Sequence, residues 1–207
     1  MLTPQQIYDR LLSMYGAPRW WSEDPCRVMV QAVLVQNTAW SSVEKVTQAL
    51  EDFFQPQVLL DLPSDRLEEL IRPCGFCRRK AMTIRLLMAW YAAYGFDQSR
   101  VMAQSKDRLR HELLSVHGIG AETADDILVY AFHKPCLIID AYTRRFLQRL
   151  GFHFADDDAI RAFFTAGLPE DAEIDGHLHW LILDHGLQRC GKAPRCEGCL
   201  FGCIKDR

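Results

Sequence analysis

Residues 113–128 read LLSVHGIGAETADDIL, and shortly afterwards residues 137–140 read LIID. The first stretch predicts the end of one helix, a turn of about five residues that holds Gly118 and Gly120, and the start of a second helix. The glycines leave backbone N–H groups uncovered where the second helix begins, and the helix dipole favours an anion there. The turn can therefore grip a phosphate. The alternative is that the glycines only join two packed helices.

The composition predicts a globular, non-exported chain. Its 207 residues are 49% hydrophobic, and no stretch has the apolar length of a membrane span or the pattern of an export signal. Eight cysteines in such a chain are better explained as thiols or metal ligands than as disulfides, so we expect a reducing, cytoplasmic compartment. The formal net charge of −3 gives no overall attraction to nucleic acid, so any binding must come from local contacts.

The pattern of caps and apolar periodicity indicates an all-α fold without strands. Predicted helices begin at Thr3-Pro4, where Gly16 ends the helix, and at Asp24-Pro25. The further predicted helices share a capping residue or an amphipathic period, and they cover residues 65–71 with Ser64 as the cap, 78–94, 105–115 with Ser105 as the cap, 121–132, 141–150, 157–166 and 171–184.

The glycine turn followed by Asp140 resembles the helix-hairpin-helix DNA glycosylases of the endonuclease III superfamily, and the resemblance extends over nearly the whole chain. It implies two helical lobes with a DNA cleft between them. A six-helix lobe that contains the hairpin would cover residues 17–134, and residues 1–16 and 135–207 would form the other. The resemblance also implies a DNA glycosylase of base excision repair.

Asp140 is the candidate catalytic residue. Cleavage of an N-glycosidic bond builds positive charge on the sugar, and a neighbouring carboxylate can stabilise that charge and position water. The same residue precedes the predicted helix at residues 141–150, so it also serves as an N-cap, and one role does not exclude the other.

Glu122 is where the chain departs from the bifunctional members of the family. Those members place a lysine there, whose amine forms a Schiff base with the sugar and permits strand cleavage. A carboxylate cannot do this, which predicts a monofunctional enzyme that leaves an abasic site. Glu122 is then either a catalytic polar group or a first-turn acid that the helix dipole favours.

The resemblance assigns DNA contacts to two further segments. Gln36, in the motif QNT, matches a residue that enters the gap left by an extruded base, although an amide at this place also caps a helix end. Phe76 matches an apolar wedge on the opposite strand, with Arg78, Arg79 and Lys80 as phosphate contacts. The alternatives are that Phe76 belongs to the core and that the basic run is a solvated face.

Four cysteines near the C-terminus form the pattern Cys190-x5-Cys196-x2-Cys199-x3-Cys203. A single winding loop of this kind favours a [4Fe-4S] cluster over a tetrahedral zinc site, which usually brings two separated knuckles. The family has a similar loop with longer first and last spacings. The remaining pair, Cys74-x2-Cys77, is a weak signal without a second pair, and we interpret Cys26 and Cys136 as buried small residues.

Three tryptophans favour a substrate with positive charge. The combination of Trp20-Trp21, Trp40 after QNT, and GIGAETAD resembles the 3-methyladenine DNA glycosylase III branch, whose familiar example lacks an iron-sulfur loop. Aromatic faces attract cationic N-alkylated purines, although most tryptophans simply fill a core.

The sequence thus predicts a monomer that binds double-stranded DNA with a damaged base, does not bind membranes, and hydrolyses the glycosidic bond of alkylated purines. Two alternatives stay open at this point. One is a glycosylase for oxidised or deaminated bases, which are neutral lesions. The other is a non-catalytic iron-sulfur module that only binds DNA.

Overall fold

The computed structural model describes residues 1–19 and 22–202, and its regular elements are helices. No strand occurs in these residues, which confirms the predicted all-α class. Two compact units divide the chain, one formed by Met1–Arg19 with Pro135–Arg207 and the other by Trp20–Lys134. The first boundary therefore follows residue 19, whereas the sequence analysis placed it after residue 16. The DNA cleft stays a prediction.

Twelve α-helices lie within the described residues. In chain order they are α1 (Pro4–Tyr15), α2 (Pro25–Leu34), α3 (Trp40–Ala49), α4 (Pro56–Asp61), α5 (Ser64–Ile71), α6 (Cys77–Ala92), α7 (Gln98–Met102), α8 (Lys106–Ser115), α9 (Ala121–Phe132), α10 (Ala141–Arg149), α11 (Asp157–Thr165) and α12 (Ala172–Gln188). Single 3₁₀ turns cover Glu51–Phe53 and Arg72–Cys74.

Helix α1 begins and ends where the sequence predicts. The Thr3 hydroxyl accepts a hydrogen bond from the Gln6 backbone N–H at 3.2 Å, and the Gln6 side-chain oxygen accepts from the Thr3 N–H at 3.0 Å. This reciprocal capping box satisfies two N–H groups that a helix start leaves open. Gly16 ends the helix with φ of 76°, a backbone conformation that favours glycine.

The predicted Ser64 cap is wrong. Helix α5 begins at Ser64 itself, and Pro63 occupies the cap position with no side-chain hydrogen bond. The Pro63 ring fixes its own φ and places the chain in extended geometry directly before the helix, so the first helical turn starts one residue earlier than a serine cap would set it. Helix α12 also continues to Gln188, beyond the predicted end at residue 184.

Each unit has its own apolar core. In the first unit, α1, α10, α11 and α12 bury side chains such as Leu11, Phe146 and Phe164. In the second unit, α2 is central and contacts both α6 and α9. Eight of its ten residues are buried, which explains why α2 has no polar face for solvent.

Among the described helices, none combines enough length with enough apolar character to cross a bilayer.

Candidate functional site

The glycine hairpin of the second unit has the predicted form. Ser105 caps α8 by accepting a hydrogen bond from the Arg108 N–H at 3.3 Å, and α9 begins at Ala121. Both predicted helix boundaries are confirmed. An ion pair joins the two helices, since Nε of the partly exposed Arg110 lies 2.7 Å from Oδ1 of the fully buried Asp125. The hairpin is therefore held rigidly on the side away from its turn.

The two glycines of the turn have different roles. Gly118 has φ of 93°, and a Cβ added there would lie 2.1 Å from the Thr83 hydroxyl oxygen, so only glycine fits. Gly120 has an ordinary φ of −95°, and a Cβ there would meet no atom within 4 Å. Gly120 leaves the start of α9 uncovered. This helix start receives no side-chain cap and stays accessible to an anion.

Gln36 contacts the hairpin directly. Its Nε2 donates to the Gly118 carbonyl at 3.1 Å and to the Thr123 hydroxyl at 2.9 Å. The neighbouring Asn37 adopts a left-handed backbone with φ of 51°. The structure thus brings the QNT segment and the glycine turn together. The predicted entry of Gln36 into a DNA gap stays a prediction.

Phe76 projects from the second unit with 70% of its surface exposed, so the alternative that it is a core residue is wrong. It precedes α6 and has φ of 47°, which is rare for a bulky side chain and costs conformational energy. Arg78 is also exposed, at 91% of its side chain, and its Nε lies 3.5 Å from Glu68. The exposed wedge geometry is compatible with insertion between bases.

Lys80 corrects the sequence analysis, which assigned it to phosphate. Its side chain is buried, with only 3% exposed, and its ammonium donates to the Leu34 carbonyl, the Thr38 hydroxyl and the Cys74 carbonyl. The reason lies in helix geometry, because residue 80 falls on the buried stripe of α6 with Ala81. Burial lowers the pKa of the Lys80 ammonium.

Asp140, in the first unit, caps α10 as predicted. Its Oδ1 accepts from the Thr143 N–H at 2.7 Å and from the Thr143 hydroxyl at 2.8 Å, while the residue as a whole is 6% exposed. These bonds fix the carboxylate plane. The second oxygen, Oδ2, is therefore held in a defined direction.

The sequence analysis assigned no chemistry to His179, yet this residue lies beside Asp140. Its Nε2 is 3.9 Å from Asp140 Oδ2, an electrostatic contact that is too long for a hydrogen bond. Burial lowers the pKa of the His179 imidazole, and the attraction of Asp140 opposes this shift only in part. The neutral imidazole leaves the negative charge on Asp140 without a cationic partner at this position.

Four other predicted site residues have different outcomes. Glu122 is exposed in the first turn of α9, where the helix dipole favours a carboxylate. Trp40 is the first residue of α3 and is 37% exposed, so it presents an aromatic surface. Trp20 and Trp21 lie outside the described residues.

The cysteine loop begins at Cys190, whose thiol is buried and lies 3.3 Å from Arg149 Nη1. The same guanidinium donates to the carbonyls of Cys190 and Gly191, and Arg145 Nε donates to the Cys190 carbonyl at 3.0 Å. Two arginines of α10 thus hold the start of the loop. An N–H group beside the sulfur suits a metal-bound thiolate.

The next two cysteines of the loop are held by fewer contacts than Cys190. Cys196 and Cys199 share a turn in which the Cys199 N–H donates to the Cys196 carbonyl, and Cys199 Sγ lies 3.9 Å from His185 Nε2. Across residues 1–19 and 22–202, no three metal-ligating side chains converge on one point. Cys203, the fourth predicted ligand, lies outside the described residues. The donor chemistry suits iron, whereas convergence of the ligands is a prediction.

The other cysteines do not form a second metal site in the described part of the chain. Cys74 is buried and Cys77 partly buried, and burial raises the pKa of the Cys74 thiol, so it stays protonated. Burial raises the pKa of Cys26 to about 12. Cys136 is only partly buried, so its predicted burial is incomplete.

Sequence comparison identifies the family to which these features belong. Residues 30–169 match the HhH-GPD superfamily of base excision DNA repair proteins, a region that includes the hairpin and Asp140. The chain belongs to the HhH-GPD superfamily. As a member, it is a DNA glycosylase of base excision repair, which confirms the family resemblance of the sequence.

Individual relatives agree with this assignment. A protein of Methanocaldococcus jannaschii, provisionally named a DNA repair glycosylase, is 38% identical over 94% of this chain and 91% of its own length. The crystal structure of H. pylori 3-methyladenine DNA glycosylase (MagIII) bound to 1,N6-ethenoadenine superposes with a TM-score of 0.80 at 26% identity, covering 90% of this chain and 98% of that one. A non-covalent endonuclease III–DNA complex gives 0.77 at 27% identity, covering 97% and 94%.

Proposed function

We propose that this HhH-GPD protein is a monofunctional glycosylase that removes alkylated purines such as 3-methyladenine from double-stranded DNA. The observation that carries the proposal is the buried carboxylate of Asp140, with Oδ1 fixed by Thr143 and Oδ2 held beside a neutral His179. Such a carboxylate keeps its orientation before the substrate arrives, so little reorganisation is needed during the reaction.

Asp140 would act on the sugar of an extruded nucleotide. As the glycosidic bond breaks, the sugar gains oxocarbenium character, and the negative charge of Asp140 stabilises it. Water then adds to the sugar carbon and gives up one proton to the Asp140 carboxylate, while the electron pair of the broken bond leaves with the base. The role of Thr143 is to hold the carboxylate, because two hydrogen bonds converge on Oδ1.

The identity of residue 122 supports hydrolysis without strand cleavage. Strand cleavage through a Schiff base requires a nucleophilic amine, and the exposed side chain in the first turn of α9 is the carboxylate of Glu122. Lys80, which the sequence analysis placed near the DNA, has its ammonium buried against three oxygens. Neither group can form the imine.

The preference for alkylated purines rests on aromatic surface and on one relative. N-alkylated purines carry positive charge and leave readily, so stacking on an exposed aromatic face such as Trp40 favours them. Trp20 and Trp21 would contribute further faces. The MagIII structure, which superposes with a TM-score of 0.80, is that of a 3-methyladenine DNA glycosylase bound to 1,N6-ethenoadenine.

We also propose that Cys190, Cys196, Cys199 and Cys203 hold a [4Fe-4S] cluster. When bound, the cluster would supply a covalent anchor for the loop that carries these cysteines. Arg149 would hold the loop and donate to the Cys190 sulfur. We expect about four iron atoms per chain and a brown protein. Stoichiometric zinc in a colourless protein would overturn this assignment.

A second candidate function is the release of oxidised or deaminated bases, which the similarity to endonuclease III favours. The deciding experiment assays base release and strand nicking separately, on duplexes that contain methylated purines, oxidised pyrimidines or uracil. We expect release of methylated purines without nicking. Nicking at oxidised pyrimidines would support the second candidate, and absence of any release would support a non-catalytic DNA-binding protein.

Asp140→Asn tests the catalytic residue. Asparagine retains the N-cap, so we expect normal folding and DNA binding, with base release slower by about 100-fold or more because the charge is lost. Asp156→Asn is the matched control, since Asp156 is an exposed N-cap of α11 that accepts from the Ala159 N–H at 2.8 Å. Undiminished release by Asp140→Asn would contradict the assignment.

A further inference from the structure

Lys80 is a buried cation whose three N–H donors are all used. Its Nζ lies 2.8 Å from the Leu34 carbonyl oxygen, 2.6 Å from the Thr38 hydroxyl oxygen and 2.8 Å from the Cys74 carbonyl oxygen. An ammonium group has three donors, so this set satisfies it fully. The side chain is 3% exposed, which leaves it no access to a DNA phosphate.

The three acceptors come from two separate segments. Leu34 and Thr38 lie on either side of Gln36, whereas Cys74 lies two residues before Phe76. The Thr38 hydroxyl is also 2.8 Å from the Cys74 carbonyl oxygen, so it bridges the same two segments. Lys80 and Thr38 thus join the segment of Gln36 to the segment of Phe76.

Both joined segments carry backbone strain. Asn37, next to Gln36, and Phe76 itself are non-glycine residues in the left-handed region, with φ of 51° and 47°. Such a conformation is strained, above all for the bulky Phe76, and persists only when its surroundings hold it. The Lys80 contacts supply that restraint, since the ammonium holds the Leu34 carbonyl of one segment and the Cys74 carbonyl of the other.

A cation with only a structural role would cost folding free energy at this place. Burying an ammonium group among neutral oxygens costs desolvation that an apolar side chain would avoid. Burial accordingly lowers the pKa of Lys80. A methionine or leucine would fill the same stripe of α6 without this desolvation but would leave the Leu34 and Cys74 carbonyls without the Lys80 donor, so the benefit of Lys80 is the position that it gives to the two segments.

We propose that Lys80 is a positioning residue for base extrusion, which fixes the separation between the Gln36 segment and the Phe76 segment so that both enter the DNA together. This inference rests on the proposed function for the roles of Gln36 and Phe76. Extrusion costs a few kcal/mol in a stacked duplex and little in unpaired DNA. Preorganised insertion lowers that cost, so loss of Lys80 should impair action on duplex DNA selectively.

The first test measures unstacking without catalysis. A duplex carries 2-aminopurine opposite a tetrahydrofuran analogue of an abasic site, and its fluorescence is read at saturating protein. We expect wild type to raise the fluorescence, and Lys80→Met to give less than half of that rise. The control is Lys45→Met, an exposed lysine on α3, which should match wild type. An unchanged rise in Lys80→Met would overturn the proposal.

The second test compares base release from methylated DNA in native and heat-denatured form. We expect Lys80→Met to lose about tenfold in rate on native DNA, the equivalent of one net hydrogen bond, and less than about threefold on denatured DNA. Equal losses in the rate of base release on native and denatured DNA would indicate that Lys80 has only a structural role, and would contradict the proposal.

Thr38→Val keeps the proposal testable if the lysine variant does not fold. It removes only the bridging hydroxyl, so it should fold and show the same selective loss to a smaller degree. Thermal denaturation of each variant confirms folding. If wild type releases no base from any DNA, the proposed function fails, whereas the fluorescence test still decides the role of Lys80.

Discussion

At the scale of single residues, the two carboxylate oxygens of Asp140 have different surroundings and different roles. Its Oδ1 is used by Thr143 to begin α10, and Oδ2 faces His179 at 3.9 Å. The capping bonds therefore serve the proposed chemistry, because they orient the oxygen that is left. A catalytic carboxylate at an N-cap needs no separate orienting residue.

His179 predicts a pH dependence of stability. In the unfolded chain its imidazole binds a proton near the usual pKa of 6.5, whereas burial lowers the pKa in the folded chain. Between these two values the unfolded state binds more protons, so the free energy of unfolding falls as the pH falls and levels off below the folded pKa. We expect His179→Gln to flatten this acid slope in chemical denaturation at several pH values.

The exposed His153 provides the control for that measurement. Its substitution by glutamine should leave the slope as in wild type, because the exposed side chain of His153 keeps its contact with solvent when the chain folds. An acid slope in His179→Gln equal to that of wild type would show that other groups cause it.

At the scale of elements, the hairpin turn predicts opposite behaviour of its two glycines. Gly118→Ala places a methyl group against the Thr83 hydroxyl in a left-handed backbone, so we expect a loss of about 2 to 4 kcal/mol in stability. Gly120→Ala meets open space at an ordinary φ, so its loss should stay below about 1 kcal/mol. Urea denaturation measures both.

DNA binding by Gly120→Ala then reports on the phosphate site. If the open start of α9 binds a phosphate, the added methyl group weakens duplex affinity although the fold is intact. Fluorescence anisotropy with a duplex containing an abasic-site analogue gives the affinity. Wild-type affinity in this variant would argue that the glycine turn only joins two helices.

At the scale of the whole molecule, the acidic balance limits electrostatic attraction to DNA. The net charge is −3, and the exposed Arg78 of the Phe76 region already lies 3.5 Å from Glu68. We expect the slope of log K against log salt to lie between about −2 and −4, which corresponds to roughly two to four phosphates. Arg78→Ala should make it shallower by about 1. A slope steeper than about −6 would indicate a broad basic surface.

Periodicity and caps in the sequence were sufficient for the all-α class, for both hairpin helices and for α1, because these depend on neighbouring residues. Three helices were missed. The short helices α4 and α7 have six and five residues, too few to show a period, and α3 begins after Ala39 without a capping side chain. The cap at Asp140 was also predicted correctly, because a cap involves only residues of the following turn.

The sequence by itself determined the family, the helix hairpin and the identity of the carboxylates at positions 122 and 140. Tertiary structure alone decided which polar side chains are buried and what they touch. Lys80 looks like part of a basic run beside Arg78 and Arg79, yet it lies on the inner stripe of α6 and bonds atoms 42 and 46 residues away in the chain. Local patterns encode helix starts and turns, whereas such contacts depend on how separate helices pack, and for that reason only the folded chain reveals them.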